Sequence, residues 1–266
     1  MPNEKHRPLS LLLSGIEGRM GRELAKGARS GIYGPWILLG GLKESGATEV
    51  TEAGTVSSEY LPQFSAADVI IDFSSTSGAK SALQFALQHK IPLVVGTTGL
   101  NSDLDPLFQR SAMALPLLRA NNTSVGVNTL LGLVEQASQL LSGTYDVEIT
   151  EVHHHHKKDA PSGTAVSLLA AVESGRSRSA LHKAAPLYGR YGMIGDRPSE
   201  EIGVHSLRGG DIVGEHTVFF FGEGERLEFT HRATDRSIFA TGALRAARWL
   251  TAQNPGTYSM ANVLGL

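Results

Sequence analysis

Four histidines and two lysines follow one another without interruption at residues 153–158. Imidazole can act as an acid or a base near neutral pH, and a lysine ammonium can neutralise negative charge or donate a proton. Protonated imidazoles and ammonium groups repel one another and bury poorly, so core packing does not explain this segment. The segment therefore predicts a site that binds an anion and moves a proton.

The residues that follow the histidines predict the beginning of a helix. Pro161 is typical of a first helical turn, and Ser162 or Asp159 is a suitable cap. The backbone amides of Gly163 and Thr164 could then bind a carboxylate. Histidine and lysine beside such a helix start suit a dianionic acid whose reaction moves a proton.

Two other interpretations of the four histidines are open, a metal centre and a solvated basic loop. Neighbouring residues on an extended chain point to opposite faces, so four histidines in a row do not converge on one ion. The chain has no cysteine that could complete a zinc site. We therefore assign no metal.

A glycine-rich turn near the N-terminus could hold a phosphate. Gly15, Gly18 and Gly21 lie between an apolar segment at 9–14 and a helical segment at 22–29. Glycines there allow the backbone to approach a pyrophosphate, whose charge lies at the helix N-terminus, and Arg19 could pair with it. The spacing differs from the commoner G-x-G-x-x-G, and an ordinary glycine turn is the alternative interpretation.

Further candidates for a dinucleotide site follow later strands. At the end of the second strand, Lys43 favours a cofactor with a 2′-phosphate and Glu44 favours one with a free 2′-hydroxyl. Gly-Thr-Thr-Gly at 96–99 follows the fourth strand, where open α/β sheets present loops to ligands. Residues 121–124 follow the apolar segment 114–118 and are a candidate ligand loop for the same reason. Taken alone, 96–99 or 121–124 could be a plain turn.

The elements that must position these residues fall into two groups. Apolar strands are predicted at 9–14, 36–42, 67–72 and 92–96, with helical stretches such as 78–89 between them. This alternation predicts a parallel sheet. Beyond residue 125 the predicted elements are a helix at 128–141, a strand at 145–153, a helix at 164–174, strands at 201–207, 214–221 and 226–231, and a last helix at 238–251. The fold class is therefore α/β, with an N-terminal Rossmann-like dinucleotide-binding domain and an α+β domain with a mixed, largely antiparallel sheet.

Composition limits the possible partners. The 266 residues carry 24 Lys and Arg against 26 Asp and Glu, so no basic surface is expected for nucleic acid or membrane. The apolar run Leu11–Leu13 is too short for a signal or membrane segment. Absence of cysteine suits a reducing compartment. We expect a cytoplasmic protein whose partners are small molecules or copies of itself.

Taken in order, the motifs resemble those of the dihydrodipicolinate reductase family. They are Gly-x-x-Gly-Arg-Met-Gly at 15–21, Gly-Thr-Thr-Gly at 96–99, the histidine segment with its helix start at 151–165, and Gly-Asp-Ile-Val-Gly-Glu-His-Thr at 210–217. The resemblance implies reduction of 4-hydroxy-tetrahydrodipicolinate by NADPH or NADH, in the diaminopimelate route to lysine. It implies a dinucleotide-binding domain at 1–127 and 238–266, and a substrate-binding and oligomerisation domain at 128–237 that forms homotetramers. It also implies closure of the two domains through hinges near 125–128 and 237–241.

The resemblance also implies roles for individual residues. The proton donor and acceptor is His153, and Lys157 donates a proton. The substrate residues are His154, Gly163, Thr164 and Arg236. The cofactor residues are Gly15, Ile16, Glu17, Gly18, Arg19, Met20, Gly96, Thr97, Thr98, Ala120, Asn121, Asn122 and Thr123.

Two positions depart from the family's pattern. Lys43 followed by Glu44 replaces the acidic residue and arginine that many members carry, and Thr123 stands where some have an aromatic residue. Another two-domain NAD(P)-dependent oxidoreductase acting on a small amino or carboxylic acid is the alternative enzyme. A regulatory protein without catalysis would be expected to have lost Lys157 or the Gly-Thr pair, and both are present.

Overall fold

The computed structural model describes residues 7–141, 143–178 and 186–266. In chain order its strands are β1 Leu9–Ser14, β2 Trp36–Leu42, β3 Glu49–Thr51, β4 Gly54–Ser57, β5 Val69–Asp72, β6 Leu93–Val95, β7 Pro116–Arg119, β8 Asp146–His153, β9 Pro186–Leu187, β10 Ile202–Arg208, β11 Gly214–Gly222, β12 Glu225–Ala233 and β13 Gly256–Tyr258. Its α-helices are α1 Arg19–Arg29, α2 Thr76–His89, α3 Asp105–Ala112, α4 Val125–Leu140, α5 Gly163–Ser177, α6 Ser237–Leu250 and α7 Met260–Leu264. Short 3₁₀ turns precede β5 and α3.

These elements form two compact units. The chain up to Val125 and the segment Ser237–Leu266 form the first, and Gly126–Arg236 forms the second. The last long helix, α6, therefore belongs to the first unit. The boundaries expected from the sequence lie within two residues of these.

The first unit contains an eight-stranded sheet in the order β13-β7-β6-β5-β1-β2-β4-β3. Its described pairings are parallel except for β3 with β4. The chain proceeds from β1 to β2 on one side and later adds β5, β6 and β7 on the other. The order of the strands thus reverses between β1 and β5, where open α/β sheets bind ligands.

Both faces of this sheet are covered, as the continuous apolar strands predict. Leu11 and Leu13 of β1 pack in a core with residues of α1 and α6, whereas Leu12 packs in a second core with residues of α2 and α3. The alternation follows from the two-residue period of a strand. The Rossmann-like expectation for this part of the chain is confirmed.

Helix α1 begins three residues earlier than the sequence predicted, at Arg19 instead of Arg22. Gly18 has an extended backbone and serves as the helix cap. A Cβ on Gly21 would lie 2.2 Å from the carbonyl oxygen of Gly15, so the first helical turn rests directly on the glycine turn. The helix start therefore lies inside the motif.

The second unit contains a five-stranded sheet in the order β12-β11-β8-β10-β9. Strand β8 is parallel to β10 and antiparallel to β11. Strand β10 is also parallel to β9, and β11 is antiparallel to β12. The sheet is mixed, as expected. The parallel pairing of β8 with β10 follows from the crossover through α5, which leaves β8 between β10 and β11.

The core of the second unit lies between this sheet and helices α4 and α5. Val147 and Ile149 of β8 pack there with Val218 and Phe220 of β11. Across the described residues of the whole chain, none of the helices has both the length and the apolar character needed to cross a lipid bilayer.

Candidate functional site

The glycine turn of the first unit has a conformation that side chains would obstruct. Gly15 has φ +82°, and a Cβ there would lie 2.4 Å from the carbonyl oxygen of Phe73. The cap residue of α1, Gly18, has no side chain that could accept from the first helical amides. The first amides of a helix have no acceptor within the helix, so a phosphate can approach them here. The turn fits the pyrophosphate of a dinucleotide.

A cavity of about 720 Å³ opens beside this turn, within the first unit. Its lining includes Gly15 and Gly18 after β1, Lys43 and Glu44 after β2, and Phe73 after β5. These are carboxyl ends of neighbouring parallel strands, at the point where the strand order reverses. This is the position that an open α/β sheet offers to a nucleotide.

One wall of this cavity was not predicted from the sequence. Ser74 and Ser75 line it in the loop that leads from β5 into α2, and Ser77 in the first turn of α2 and Tyr60 line it as well. The signal was available, because this loop follows a buried parallel strand as the glycine turn does. Serine hydroxyls there add hydrogen-bonding groups to the cavity.

Lys43 and Glu44 have different surroundings. The ammonium of Lys43 lies 2.7 Å from a carboxylate oxygen of Glu49 on β3 and 4.0 Å from one of Glu17, and its side chain is 7% exposed. Glu44 is exposed beside the cavity. Lys43 is therefore already paired with carboxylates.

The other predicted cofactor residues of the glycine turn divide between core and surface. Ile16 is buried in the core, and Met20 packs against it. Glu17 and Arg19 are exposed. A ligand on this turn would thus meet the backbone of Ile16 and Met20 and the side chains of Glu17 and Arg19.

The Gly-Thr-Thr-Gly segment after β6 shapes a neighbouring loop. The hydroxyl of Thr97 donates to Asp72 at 2.6 Å and accepts from the amide of Ser74 at 2.8 Å. A Cβ on Gly96 would lie 2.2 Å from the ring of Phe73. Thr98 is exposed. Gly96 and Thr97 therefore support the β5–α2 loop, and Thr98 presents its side chain to solvent.

The segment after β7 is held by α6. The buried hydroxyl of Thr123 donates to the carbonyl of Phe239 at 2.7 Å. The side-chain oxygen of Asn122 accepts from the amide of Ser124 at 2.9 Å. Ala120 is buried and Asn121 is exposed. The hydroxyl of Thr123 thus has a structural partner, and Asn121 has the accessible side chain of this segment.

In the second unit, strand β8 presents Glu151 and His153 on the same face because residues two apart on a strand point the same way. Nδ1 of His153 lies 2.5 Å from an oxygen of Glu151. Glu151 is fully buried, and His153 is 8% exposed. The face that forms the apolar core at Val147 and Ile149 therefore ends in a buried polar pair.

Arg208 at the end of β10 neutralises this buried carboxylate. Its two terminal nitrogens lie 2.8 and 2.7 Å from the two oxygens of Glu151. Burial alone would raise the pKa of Glu151, but hydrogen bonds from Arg208 and His153 outweigh it and hold that pKa at about 2. Burial lowers the pKa of His153, and Glu151 opposes this shift. Glu151 is therefore a carboxylate at any physiological pH.

Helix α5 begins against the same carboxylate. Ser162 caps the helix, because its hydroxyl accepts from the amide of Ala165 at 3.2 Å. The amide of Ser162 donates to Glu151 at 3.1 Å, and its hydroxyl lies 3.1 Å from Nε2 of His216. A Cβ on Gly163 would meet no described atom within 4 Å outside its chain neighbours and the backbone of its own helix. The predicted anion-binding helix start and His153 thus share one partner, Glu151.

The rest of the histidine segment lies close to these groups. Nζ of Lys157 lies 2.9 Å from a carboxylate oxygen of Asp159. Partial burial and the nearby positive charge of Arg236 both lower the pKa of His154, with Lys157 and the other histidines adding to the effect. His155 and His156 are exposed. Within the described ranges, no group of three or more His, Cys, Asp or Glu side chains is arranged to hold a metal ion.

Ser162 was predicted only as a helix cap, and Glu151, Arg208 and His216 were given no role in the site from the sequence. The signal for Glu151 was its position two residues before His153 on a predicted strand. His216 and Arg208 could not be placed from the sequence, because their proximity depends on β8 lying between β10 and β11.

Profiles of one protein family match both halves of the chain. The profile described as "Dihydrodipicolinate reductase, N-terminus" matches residues 9–123, and that described as "Dihydrodipicolinate reductase, C-terminus" matches residues 126–264. The 4-hydroxy-tetrahydrodipicolinate reductase of Zymomonas mobilis subsp. mobilis is 44% identical, over 98% of this chain and 99% of its own. That of Akkermansia muciniphila is 42% identical, over 97% and 98%.

A solved structure supports the fold. The dipicolinate-bound dihydrodipicolinate reductase from Paenisporosarcina sp. TG-14 superposes with a TM-score of 0.74 at 22% identity, over 94% of this chain and 97% of that one. Both halves of the chain match, and curated relatives are matched over nearly their whole length. The chain therefore belongs to the dihydrodipicolinate reductase family.

Proposed function

We propose that the chain reduces 4-hydroxy-tetrahydrodipicolinate, through its dehydrated cyclic imine, to tetrahydrodipicolinate with NADH or NADPH. The relatives named as this reductase share 40–44% of their residues with it. The observation that carries the proposal is the buried Glu151, which joins His153 to the start of α5. One histidine suited to proton transfer thus lies beside a helix terminus suited to a carboxylate.

Some of the residues bind the cofactor or the substrate, and others transfer the proton. The nicotinamide cofactor, held on the glycine turn of the first unit, supplies hydride when it is bound. The start of α5 at Gly163 and Thr164, together with His154 and Arg236, binds the carboxylates of the substrate. Lys157 donates from Nζ the proton that completes the reduction, and Nε2 of His153 accepts or returns a proton.

Reduction of the imine consumes one hydride and one proton. Lys157 carries its proton as an ammonium beside Asp159. Its side chain is only 20% exposed, and Asp159, which balances its charge, is 62% exposed. A substrate carboxylate can therefore replace or supplement Asp159 as the partner of Lys157 without leaving a charge buried alone.

We infer that the chain prefers NADH to NADPH. A 2′-phosphate at the end of β2 would approach Lys43, but this ammonium is already paired with Glu49 and lies near Glu17. Glu44 and Glu59 also line the cavity. These carboxylates repel a phosphate dianion, and a carboxylate can accept from a free ribose hydroxyl.

The chain assembles as a homotetramer through the sheet of the second unit. On the face of that sheet opposite α4 and α5, Leu207 and Phe221 are 50% and 37% exposed. Phe221 stacks on Phe219 of the same strand. Exposed apolar side chains on a broad sheet face suit an interface between identical copies.

A direct assay tests the reductase activity. Purified chain is mixed with enzymatically generated 4-hydroxy-tetrahydrodipicolinate and with NADH or NADPH, and oxidation of the cofactor is followed. Loss of a proton donor in Lys157→Ala should lower kcat by about 10²–10⁴-fold. Lys158→Ala is the matched control, because Lys158 is the next residue, carries the same charge and is exposed.

Two outcomes would contradict the proposed function. One is no cofactor oxidation by folded protein with either cofactor. The other is equal activity of Lys157→Ala and Lys158→Ala. Turnover of another small amino or carboxylic acid in place of this substrate would support the alternative oxidoreductase.

A further inference from the structure

The Glu151–Arg208 ion pair touches the segment between β8 and α5 at three separate points. Glu151 holds Nδ1 of His153 at 2.5 Å with one oxygen and the amide of Ser162 at 3.1 Å with the other. Arg208 also donates to the carbonyl of Asp159 at 2.7 Å. These contacts include both ends of the segment and its middle.

We propose that the Glu151–Arg208 ion pair is the positioning device of this site: it keeps the proton of neutral His153 on Nδ1, leaves Nε2 for the substrate, and fixes the start of α5 beside it. The role rests on the proposed function, because it assigns His153 to proton transfer. Glu151 and Arg208 act through His153 and Ser162 and are positioning residues.

The hydrogen bond to Glu151 determines which nitrogen of His153 carries the proton. A carboxylate only accepts hydrogen bonds, so Nδ1 must donate to Glu151. Neutral His153 then has its lone pair on Nε2. Nε2 makes no hydrogen bond to any described residue, and a Cβ on Gly214 would lie 2.9 Å from it. The glycine at 214 leaves the space beside Nε2 that a reacting atom needs.

The charges around His153 act in opposite directions. Glu151 favours its protonated form, whereas Lys157 and Arg208 oppose it, and the ring of His216 lies edge-on with its centroid 5.2 Å away. Glu151 is the group among these that stabilises an imidazolium. Removing its charge therefore makes His153 harder to protonate as well as altering its tautomer.

Packing alone does not account for this arrangement. A fully buried carboxylate must be desolvated, and apolar side chains of similar size often replace buried ion pairs without loss of stability. Glu151 lies on the face that continues the apolar core of Val147 and Ile149. A charged pair at that position is explained by the hydrogen bonds that the two oxygens of Glu151 accept from His153 and from the amide of Ser162.

Glu151→Gln separates the positioning role from simple packing. Glutamine has nearly the same shape, but it replaces one of the two acceptor oxygens that His153 and Ser162 use with an NH2 group, which only donates. We expect ¹⁵N spectra of histidine-labelled protein without substrate to show neutral His153 protonated on Nδ1 in the wild type and on Nε2 in Glu151→Gln. His153→Gln identifies the signal. Glu135→Gln, which removes a carboxylate paired with Arg178 in the same unit, is the matched control.

Kinetics provide the second measurement. In Glu151→Gln the kcat should fall at least about tenfold, with a smaller rise in KM, and the limb of the pH profile that reports His153 should move to lower pH. Glu135→Gln should resemble the wild type. Glu151→Asp keeps the charge, so it should keep the Nδ1 tautomer and the wild-type pH limb while kcat falls. It also serves as the test if Glu151→Gln does not fold.

The proposal is overturned if His153 keeps its tautomer and its pH limb in folded Glu151→Gln, whatever the stability of that variant. It is equally overturned if Glu151→Asp loses the Nδ1 tautomer. The NMR result does not depend on turnover. A tautomer change in a chain that reduces no substrate would therefore reject the proposed function and leave the positioning role intact.

Discussion

At the scale of single residues, the candidate site could be predicted where chemistry depends on neighbours in sequence. His153, Lys157 and the Ser162–Thr164 helix start are visible as a motif. The pairing of Lys43 with Glu49 could not be predicted from the sequence, because Glu49 lies on β3, a strand of three exposed residues without an apolar pattern. An ion pair between a strand end and an unpredicted hairpin depends on tertiary structure alone. That pair changes how the basic residue at position 43 is interpreted.

The Lys43–Glu49 pair leads to a prediction about cofactor binding. Glu49→Gln frees Lys43, so binding of adenosine diphosphate with a 2′-phosphate should tighten relative to ADP by about two- to fivefold. Isothermal titration calorimetry measures both affinities without catalysis. Glu52→Gln is the control, because Glu52 is exposed in the same hairpin and its substitution removes the same charge. An unchanged ratio in Glu49→Gln would show that Glu49 does not set the preference.

At the scale of elements, apolar patterns predicted the buried strands β1, β2, β5 and β6. Their limits follow from continuous apolar runs that both sheet faces bury. Short exposed strands such as β3 and β13 carry no such pattern and were missed. The position of β8 between β10 and β11 could not be expected from the sequence, because only a short turn separates β10 from β11 along the chain. Pairing between distant strands is a property of the folded sheet.

Contact among β8, β11 and α5 leads to a prediction about acid stability. Burial lowers the pKa of His216 from 6.5 to about 4, with nearby His153 adding to the shift. The unfolded chain therefore takes up a proton first as the pH falls, and stability present above pH 6.5 is lost down to about pH 4. In His216→Gln, the decrease in the free energy of unfolding between pH 6.5 and 4 should be smaller by about 3 kcal/mol.

Urea denaturation followed by circular dichroism at several pH values measures this difference. Glutamine at 216 does not titrate and can still hydrogen-bond to Ser162. His89→Gln, a substitution in α2 of the first unit, provides the comparison for loss of a histidine elsewhere. Parallel curves for the wild type and His216→Gln between pH 6.5 and 4 would be the contrary result.

At the scale of the whole molecule, the sequence indicated two folding units and a return of the last long helix to the first. This was possible because the alternating strand-helix pattern stops near residue 125. The assembly of copies could be expected only through the family resemblance. The sheet order now shows which strands carry the exposed Leu207 and Phe221.

The proposed tetramer predicts a specific dissociation. Phe221→Lys places a charge on the outward face of β11, so burial against a second copy becomes unfavourable and the tetramer should fall apart into smaller species. Sedimentation velocity measures the mass. Met113→Lys is the control, because Met113 is 78% exposed in the first unit. A wild-type monomer, or an intact tetramer in Phe221→Lys, would reject this interface.

The hydrogen bond from Thr123 to Phe239 has a consequence for the modularity of the chain. Thr123 lies two residues before the chain leaves the first unit after Val125, and Phe239 lies two residues after it returns at Ser237. The hydrogen bond holds the two cut ends of the first unit side by side. The second unit is thus an inserted domain, and the two points at which it joins the first unit lie next to each other in that unit. A joining loop of a few residues would be long enough to close the first unit without it.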